Sequence, residues 1–219
     1  MVTDPPGPVP DPPHPFTAFT YRATRDTGLY RVCSAGPTRR IDDFNPGYGP
    51  GGRFSFFGDP PVPVLYAAET ELAALCETVL HDVPATGGMV PSAAIDNLVA
   101  GRLVLARDLA LADFSGVGLR RLGVDPEQLT SSPAYTYHRT RRWARAAYDA
   151  GFEGIVWMSK RCNDARAFVL FGDRIRDRDV SIDHTYARVF ATGPDRDWLI
   201  NTCAQLHIDV LAPQPSSDT

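Results

Sequence analysis

The 219 residues hold only four cysteines, Cys33, Cys76, Cys162 and Cys203, and no two of them form a CxxC spacing. Neither a disulfide framework nor a thiolate zinc site is expected, and a reducing, cytoplasmic setting fits that usage. Five histidines are equally dispersed, and only Cys203 and His207 stand four apart, too few ligands for structural zinc. No metal is therefore expected. The chain shows no secretory leader and no long apolar run, so no membrane association is expected. A net charge of −4 lacks the basic excess that direct nucleic-acid binding demands. Neither GxGxxG nor GxxxxGK[ST] follows any strand-like run, which removes the doubly wound nucleotide-binding folds. Internal repeats are absent too.

What is present fits one domain. A chain of this length can bury roughly 70% of its unfolded surface without covalent staples. Its first fifteen residues contain seven prolines and no apolar periodicity, so residues 1–16 read as a disordered tail. The final "APQPSSDT" reads the same way, leaving 17–212 as a single catalytic domain and 213–219 as a flexible C-terminal tail.

Between these ends the pattern alternates. "AFTYRAT", "GLYRV" and the apolar "PVPVLYAA" read as strands. At Thr70 the period changes: Thr70 can cap a helix, Glu71 sits in its first turn, and Leu72, Leu75, Cys76, Val79 and Leu80 form one stripe. Glu77 and His81, four apart, become neighbours on that helix, away from the stripe. "GRLVLARDL" reads as a further strand. Ser132 before Pro133 resembles an N-cap for a helix running to about Ala150, with Gly151 as its stop. The arginines of "HRTRRWARAAY" (Arg139, Arg141, Arg142, Arg145) spread around this helix, as a solvated face or as a rim for an anionic ligand or acidic partner. "FEGIVWMS" and "ARAFVLFGDR" are apolar strands with Ser159 at the exit of the first; a strand at "YARVF", a helix after Pro194 and a strand at "HIDVLA" follow. Local strand pairs mixed with helical crossovers predict an α+β fold: mixed, largely antiparallel sheets with flanking helices.

Several polar residues invite a functional reading. In "GYGPGGRF" the glycines permit positive φ and close approach of backbone to a ligand, aiming Arg53 at a cleft, while Arg31 sits in the preceding strand. Two guanidinium forks suit a pyrophosphate; equally, they can pair at the surface with Asp42, Asp43 or Asp59. Tyr66, at a strand exit, is either core or a ring for stacking on a flat heteroaromatic ligand. Glu77 is either half of a solvated Glu/His pair or a site carboxylate.

The order "LYRV", "GGRF", "VLYAAETELAALCETVLH", then a helix ending at Gly151 and "FEGIVWMS", resembles the RES family, named for an arginine, a glutamate and a serine. The resemblance covers most of residues 29–172 and is most specific from Gly51 to His81. It implies an ADP-ribosyltransferase-like fold and a toxin of a bacterial toxin–antitoxin pair that degrades NAD⁺ by cleaving the nicotinamide–ribose bond, through phosphorolysis or hydrolysis. NAD⁺ is then substrate, with inorganic phosphate as co-substrate in a phosphorylase, and no cofactor is needed. A helix-turn-helix antitoxin covering the active site is the implied partner; whether the chain forms a homo-oligomer is open. The implied catalytic residues are Glu77, Arg53, Tyr66 and Ser159, with Arg31, Tyr30 and His81 joining Arg53 and Tyr66 in substrate binding; Glu69 is a rival to Glu77. Many members carry "GGRWN", where this chain has Phe54 and Ser55. A protein ADP-ribosyltransferase and a catalytically silent partner-binding module are the alternatives.

Overall fold

The structure is a computed structural model that describes residues 8–36 and 39–211. Eight strands form one sheet: β1 (Thr20–Ala23), β2 (Gly28–Ser34), β3 (Val64–Ala68), β5 (Leu98–Leu105), β6 (Leu109–Phe114), β7 (Gly154–Met158), β8 (Arg166–Phe171) and β9 (Val180–Val189). Their spatial order is β1-β6-β7-β8-β3-β2-β5-β9, every neighbouring pair antiparallel except β6 with β7. β4 (Gly88–Pro91) and β10 (Ile208–Leu211) pair in parallel as a separate ribbon. The helices are α1 (Glu71–Thr78), α2 (Gly116–Leu122), α3 (Tyr137–Asp149) and α4 (Pro194–Gln205). This is the mixed, largely antiparallel α+β fold expected from the pattern.

Alternation along the strands explains the layers. Leu65 and Ala67 of β3 point to one face, where one cluster also contains Ala23 of β1 and Val180 of β9, the two edge strands. One continuous cluster thus runs across this face from edge to edge. On the other face Val64 and Tyr66 pack with Trp143 and Ala147 of α3, while Ala68 packs with Leu75 of α1 and Leu199 of α4. The Thr70 hydroxyl accepts the Ala73 amide at 3.1 Å, the expected cap of α1 and worth about 1 kcal/mol. Gly151, at φ +95°, follows the end of α3 as expected.

Four readings need correction. "GRLVLARDL" is not one strand: β5 ends at Leu105 and β6 begins at Leu109. α1 stops at Thr78, so Glu77 and His81 do not stack on one helix. Ser132 does not cap α3, which starts at Tyr137; its hydroxyl is diverted to an arginine described below. The expected tail fails from Pro8 onward. Val9 is 2% exposed, its carbonyl accepts Arg139 Nη1 at 3.2 Å, and the Pro10 carbonyl accepts Trp143 Nε1 at 2.8 Å. Phe16 packs edge-on against Phe114, Trp143 and Phe152. Composition suggested disorder because prolines offer no periodicity, but extended proline backbone leaves carbonyls free to accept from a helix face. Residues 1–7 and the C-terminal tail at 213–219 lie outside the described residues.

Among the described residues no helix is long and apolar enough to cross a membrane.

Candidate active site

β2 and β3 are neighbours in the sheet, yet their register contains one pair, Tyr30 opposite Ala68. Beyond it the strands part. A cavity of about 470 Å³ occupies the gap, with Arg31 of β2, Tyr66 of β3, Glu77 of α1 and Tyr137 of α3 on its walls. Arg53, Tyr30 and His81 line it as well.

The glycine run shapes one wall. Gly51 has φ +74°, and a Cβ there would lie 2.3 Å from the Ser55 carbonyl oxygen; at Gly52 a Cβ would lie 2.9 Å from the Tyr66 hydroxyl. Only glycine allows the loop to press this closely against Tyr66. Arg53 then turns inward and is 9% exposed. Its Nη1 donates to the carbonyls of Leu129 (3.2 Å) and Ser132 (2.7 Å) and to Ser132 Oγ (2.9 Å). Burial pulls its pKa down, with Tyr137 and then Glu77 opposing the shift; the group stays cationic near neutrality. Arg31, 6% exposed, donates from Nη1 to the carbonyls of Ile41 (2.8 Å) and Asp43 (2.7 Å), and burial lowers its pKa too. Surface pairing of either arginine with Asp42, Asp43 or Asp59 is not what forms. Arg40 takes Asp42, at 2.9 Å.

Tyr66 is held by its hydroxyl, which accepts the Phe54 amide at 3.1 Å and donates to Ser55 Oγ at 3.0 Å. Ser55 Oγ also accepts the Gly52 amide at 3.0 Å. The serine that stands where many members carry asparagine thus organises the loop and the tyrosine together. Phe54 fills the tryptophan position with no exposure, edge-on to Phe114 and Trp157. Burial pushes the Tyr66 phenol up to about 12, partly offset by Ser55, the Phe54 amide and Arg53. Tyr66 is a neutral phenol at physiological pH.

Glu77 is half-buried, and its Oε1 accepts the Ser159 hydroxyl at 2.5 Å. The Ser159 oxygen also accepts the Cys162 amide at 3.1 Å. Glu69 does not compete: it binds the Arg166 amide at 3.0 Å and does not line the cavity. His81 lines the cavity and makes no direct hydrogen bond to Glu77; Nδ1 faces Asp82 at 2.9 Å and Nε2 faces the Tyr137 hydroxyl at 3.2 Å. The ring of Tyr30 meets Tyr186 edge-on and lies beneath Arg102. Burial raises the thiols of Cys76, to about 11, and Cys162, to about 12, so the cysteines adjoining Glu77 and Ser159 stay protonated near neutrality. Among the described residues no group of His, Cys, Asp and Glu could hold a metal ion.

Sequence reasoning missed Tyr137 and Thr140, and it placed Arg141 on the helix without its loop acceptor. They sit at i, i+3 and i+4 on one face of α3, a spacing that could have flagged them. The Thr140 hydroxyl donates to the Arg53 carbonyl, and Arg141 Nη2 donates to the Pro50 carbonyl at 2.6 Å. Most of the arginine run is a solvated face: Arg139, Arg142 and Arg145 are exposed, Arg139 reaching the Val9 carbonyl and Arg142 and Arg145 pairing with Asp11 and Asp149.

A family profile described as RES domain matches residues 12–190. The chain belongs to the RES domain family. The RES residues that the sequence singled out, Arg31, Arg53, Tyr66, Glu77 and Ser159, are brought together around the cavity, Ser159 through its bond to Glu77. The RES fold here is shared with a chain of a solved structure, "Crystal structure of the M.tuberculosis MbcT-MbcA toxin-antitoxin complex", at a TM-score of 0.59 and 14% identity, over 85% of this chain and 91% of that one. No curated protein matches this chain.

Proposed function

We propose that this RES domain is the toxin of a toxin–antitoxin pair and that it degrades NAD⁺ by cleaving the nicotinamide–ribose bond. The observation that supports this reading best is one hollow holding two buried guanidinium groups and a serine-held carboxylate. The fold shared with a chain of a toxin–antitoxin complex supports the biological role.

Arg31 and Arg53 clamp the pyrophosphate. Both are fixed through Nη1 by backbone carbonyls, so the rest of each fork is oriented before the ligand arrives, and such preorganisation lowers the cost of binding. The volume of about 470 Å³ suits a ligand pocket, and Tyr48, 79% exposed on its lining, offers a ring beyond the enclosed part. Tyr66 and Tyr30 orient the nicotinamide end.

Departure of nicotinamide builds positive charge on the ribose, and a fixed carboxylate stabilises that oxocarbenium-like state. Glu77 supplies it. Ser159, donating to Oε1, holds the carboxylate in one orientation so that little rearrangement is needed as charge develops. Phosphate or water then attacks C1 of the ribose, giving ADP-ribose-1-phosphate or ADP-ribose. An antitoxin seated over the mouth would block entry.

The test is purified protein with NAD⁺, with and without inorganic phosphate, and products identified by mass. Free nicotinamide with ADP-ribose-1-phosphate identifies a phosphorylase; indifference to phosphate identifies a glycohydrolase; label on protein identifies a transferase. Intact NAD⁺ under all conditions rejects the reading.

A further inference from the structure

Arg53 is gripped from more than one side. Its Nη1 anchors restrain the guanidinium within its own plane, while the ring of Tyr137 lies 5.0 Å from Cζ. A cation over an aromatic face is attracted by the ring quadrupole, which favours keeping it there. The Tyr137 hydroxyl meets His81 Nε2 at 3.2 Å, and the His81 carbonyl accepts Arg161 Nε at 3.0 Å. His81 follows α1, the helix of Glu77, and Arg161 follows Ser159. Tyr137 therefore touches the cation with its ring and, with its hydroxyl, His81, which follows the helix of Glu77 and whose carbonyl is bonded to the loop after Ser159.

We propose that Tyr137 is a positioning residue whose ring sets the plane of the Arg53 guanidinium and whose hydroxyl, through His81, sets the spacing between the arginine and the Glu77–Ser159 pair. The two halves of the side chain have separate consequences. Ring loss lets the fork tilt and weakens diphosphate binding. Hydroxyl loss leaves the fork in place but frees the α1 end of the cavity, so binding survives while the chemical step slows.

The kinetic part of this inference rests on the NAD⁺ reading, and the experiment separates the two. Tyr137→Phe keeps the ring and is expected to hold KM for NAD⁺ within about twofold while kcat falls roughly fivefold; Tyr137→Leu is expected to raise KM about tenfold as well. A purely structural role would lower the active fraction and Tm in both variants without moving KM. Wild-type KM in Tyr137→Leu, or wild-type kcat in Tyr137→Phe, overturns the proposal. Should Tyr137→Leu not fold, Tyr137→Met replaces it.

If the wild-type protein leaves NAD⁺ intact, the function reading fails and the same variants are titrated with inorganic pyrophosphate. About tenfold weaker binding by Tyr137→Leu than by Tyr137→Phe supports the positioning role, and equal affinities reject it. If pyrophosphate does not bind either, crystal structures of the two variants decide: an Arg53 fork rotated only in Tyr137→Leu supports the role, and an unmoved fork ends it.

Discussion

Ser159 Oγ donates to Glu77 Oε1 at 2.5 Å across 82 residues of sequence. So short a bond to a carboxylate is a strong one, and it fixes the acid that the proposed chemistry needs.

Removing either partner should therefore reduce turnover by different amounts. Glu77→Gln keeps the shape and loses the charge, and is expected to lower kcat for NAD⁺ cleavage by about 10²-fold or more. Ser159→Ala leaves the charge but frees it to rotate, and about tenfold is expected. Steady-state kinetics with circular dichroism as a folding control measures both. Wild-type turnover in Glu77→Gln would remove it as the centre.

Arg53→Lys tests the fork. An ammonium cannot satisfy Leu129 O, Ser132 O and Ser132 Oγ from one nitrogen and still face the ligand with a second. Each charged hydrogen bond contributes about 1.5–3 kcal/mol, so affinity for ADP-ribose should fall by roughly 10- to 100-fold. Calorimetric titration reads this directly. An unchanged Kd would place the diphosphate elsewhere.

Alkaline stability should report Tyr66. Its folded-state pKa, about 12, lies above the ordinary value of 10.0. As pH rises the unfolded chain releases this proton first, so the folded state is penalised. The stability Tyr66 contributes is complete below pH 10 and is lost as pH climbs towards about 12. Urea unfolding across that range should show a steeper decline for wild type than for Tyr66→Phe. Parallel declines would contradict the burial of the phenol.

Deleting residues 1–11 should destabilise the domain by about 2–4 kcal/mol, from the lost burial of Val9 and the loss of an acceptor for the Trp143 indole. The midpoint in urea is the measurement. A midpoint unchanged by the deletion would mean these residues do not hold α3.

The residues of the candidate site were singled out through the resemblance to the RES family, while local signals placed them on their elements. Thr70 announces the cap, the apolar stripe announces α1, and the glycine run announces a tight loop delivering Arg53. What stayed hidden depends on partners far along the chain. Ser132 before a proline has the form of a helix cap, and nothing nearby reveals that Arg53, 79 residues earlier, claims its hydroxyl. Arg141 and Thr140 read as part of a charged helix because their acceptors, Pro50 and Arg53, lie in a loop whose path is not periodic. The same blindness turned the segment around Val9 into a tail. Proline-rich backbone has no pattern of its own, and its order comes from Trp143 and Arg139.

The lone rung between Tyr30 and Ala68 bears on drug and partner design. Arg31 and Tyr66 stand on strands that are each fully laddered on their outer sides, to β5 and β8, but joined to each other at one point. The gap is thus bounded by two strands that are each paired along their length on the far side and to each other at one rung. Whatever enters there meets two side chains whose strands are fastened to their outer neighbours and hardly to each other.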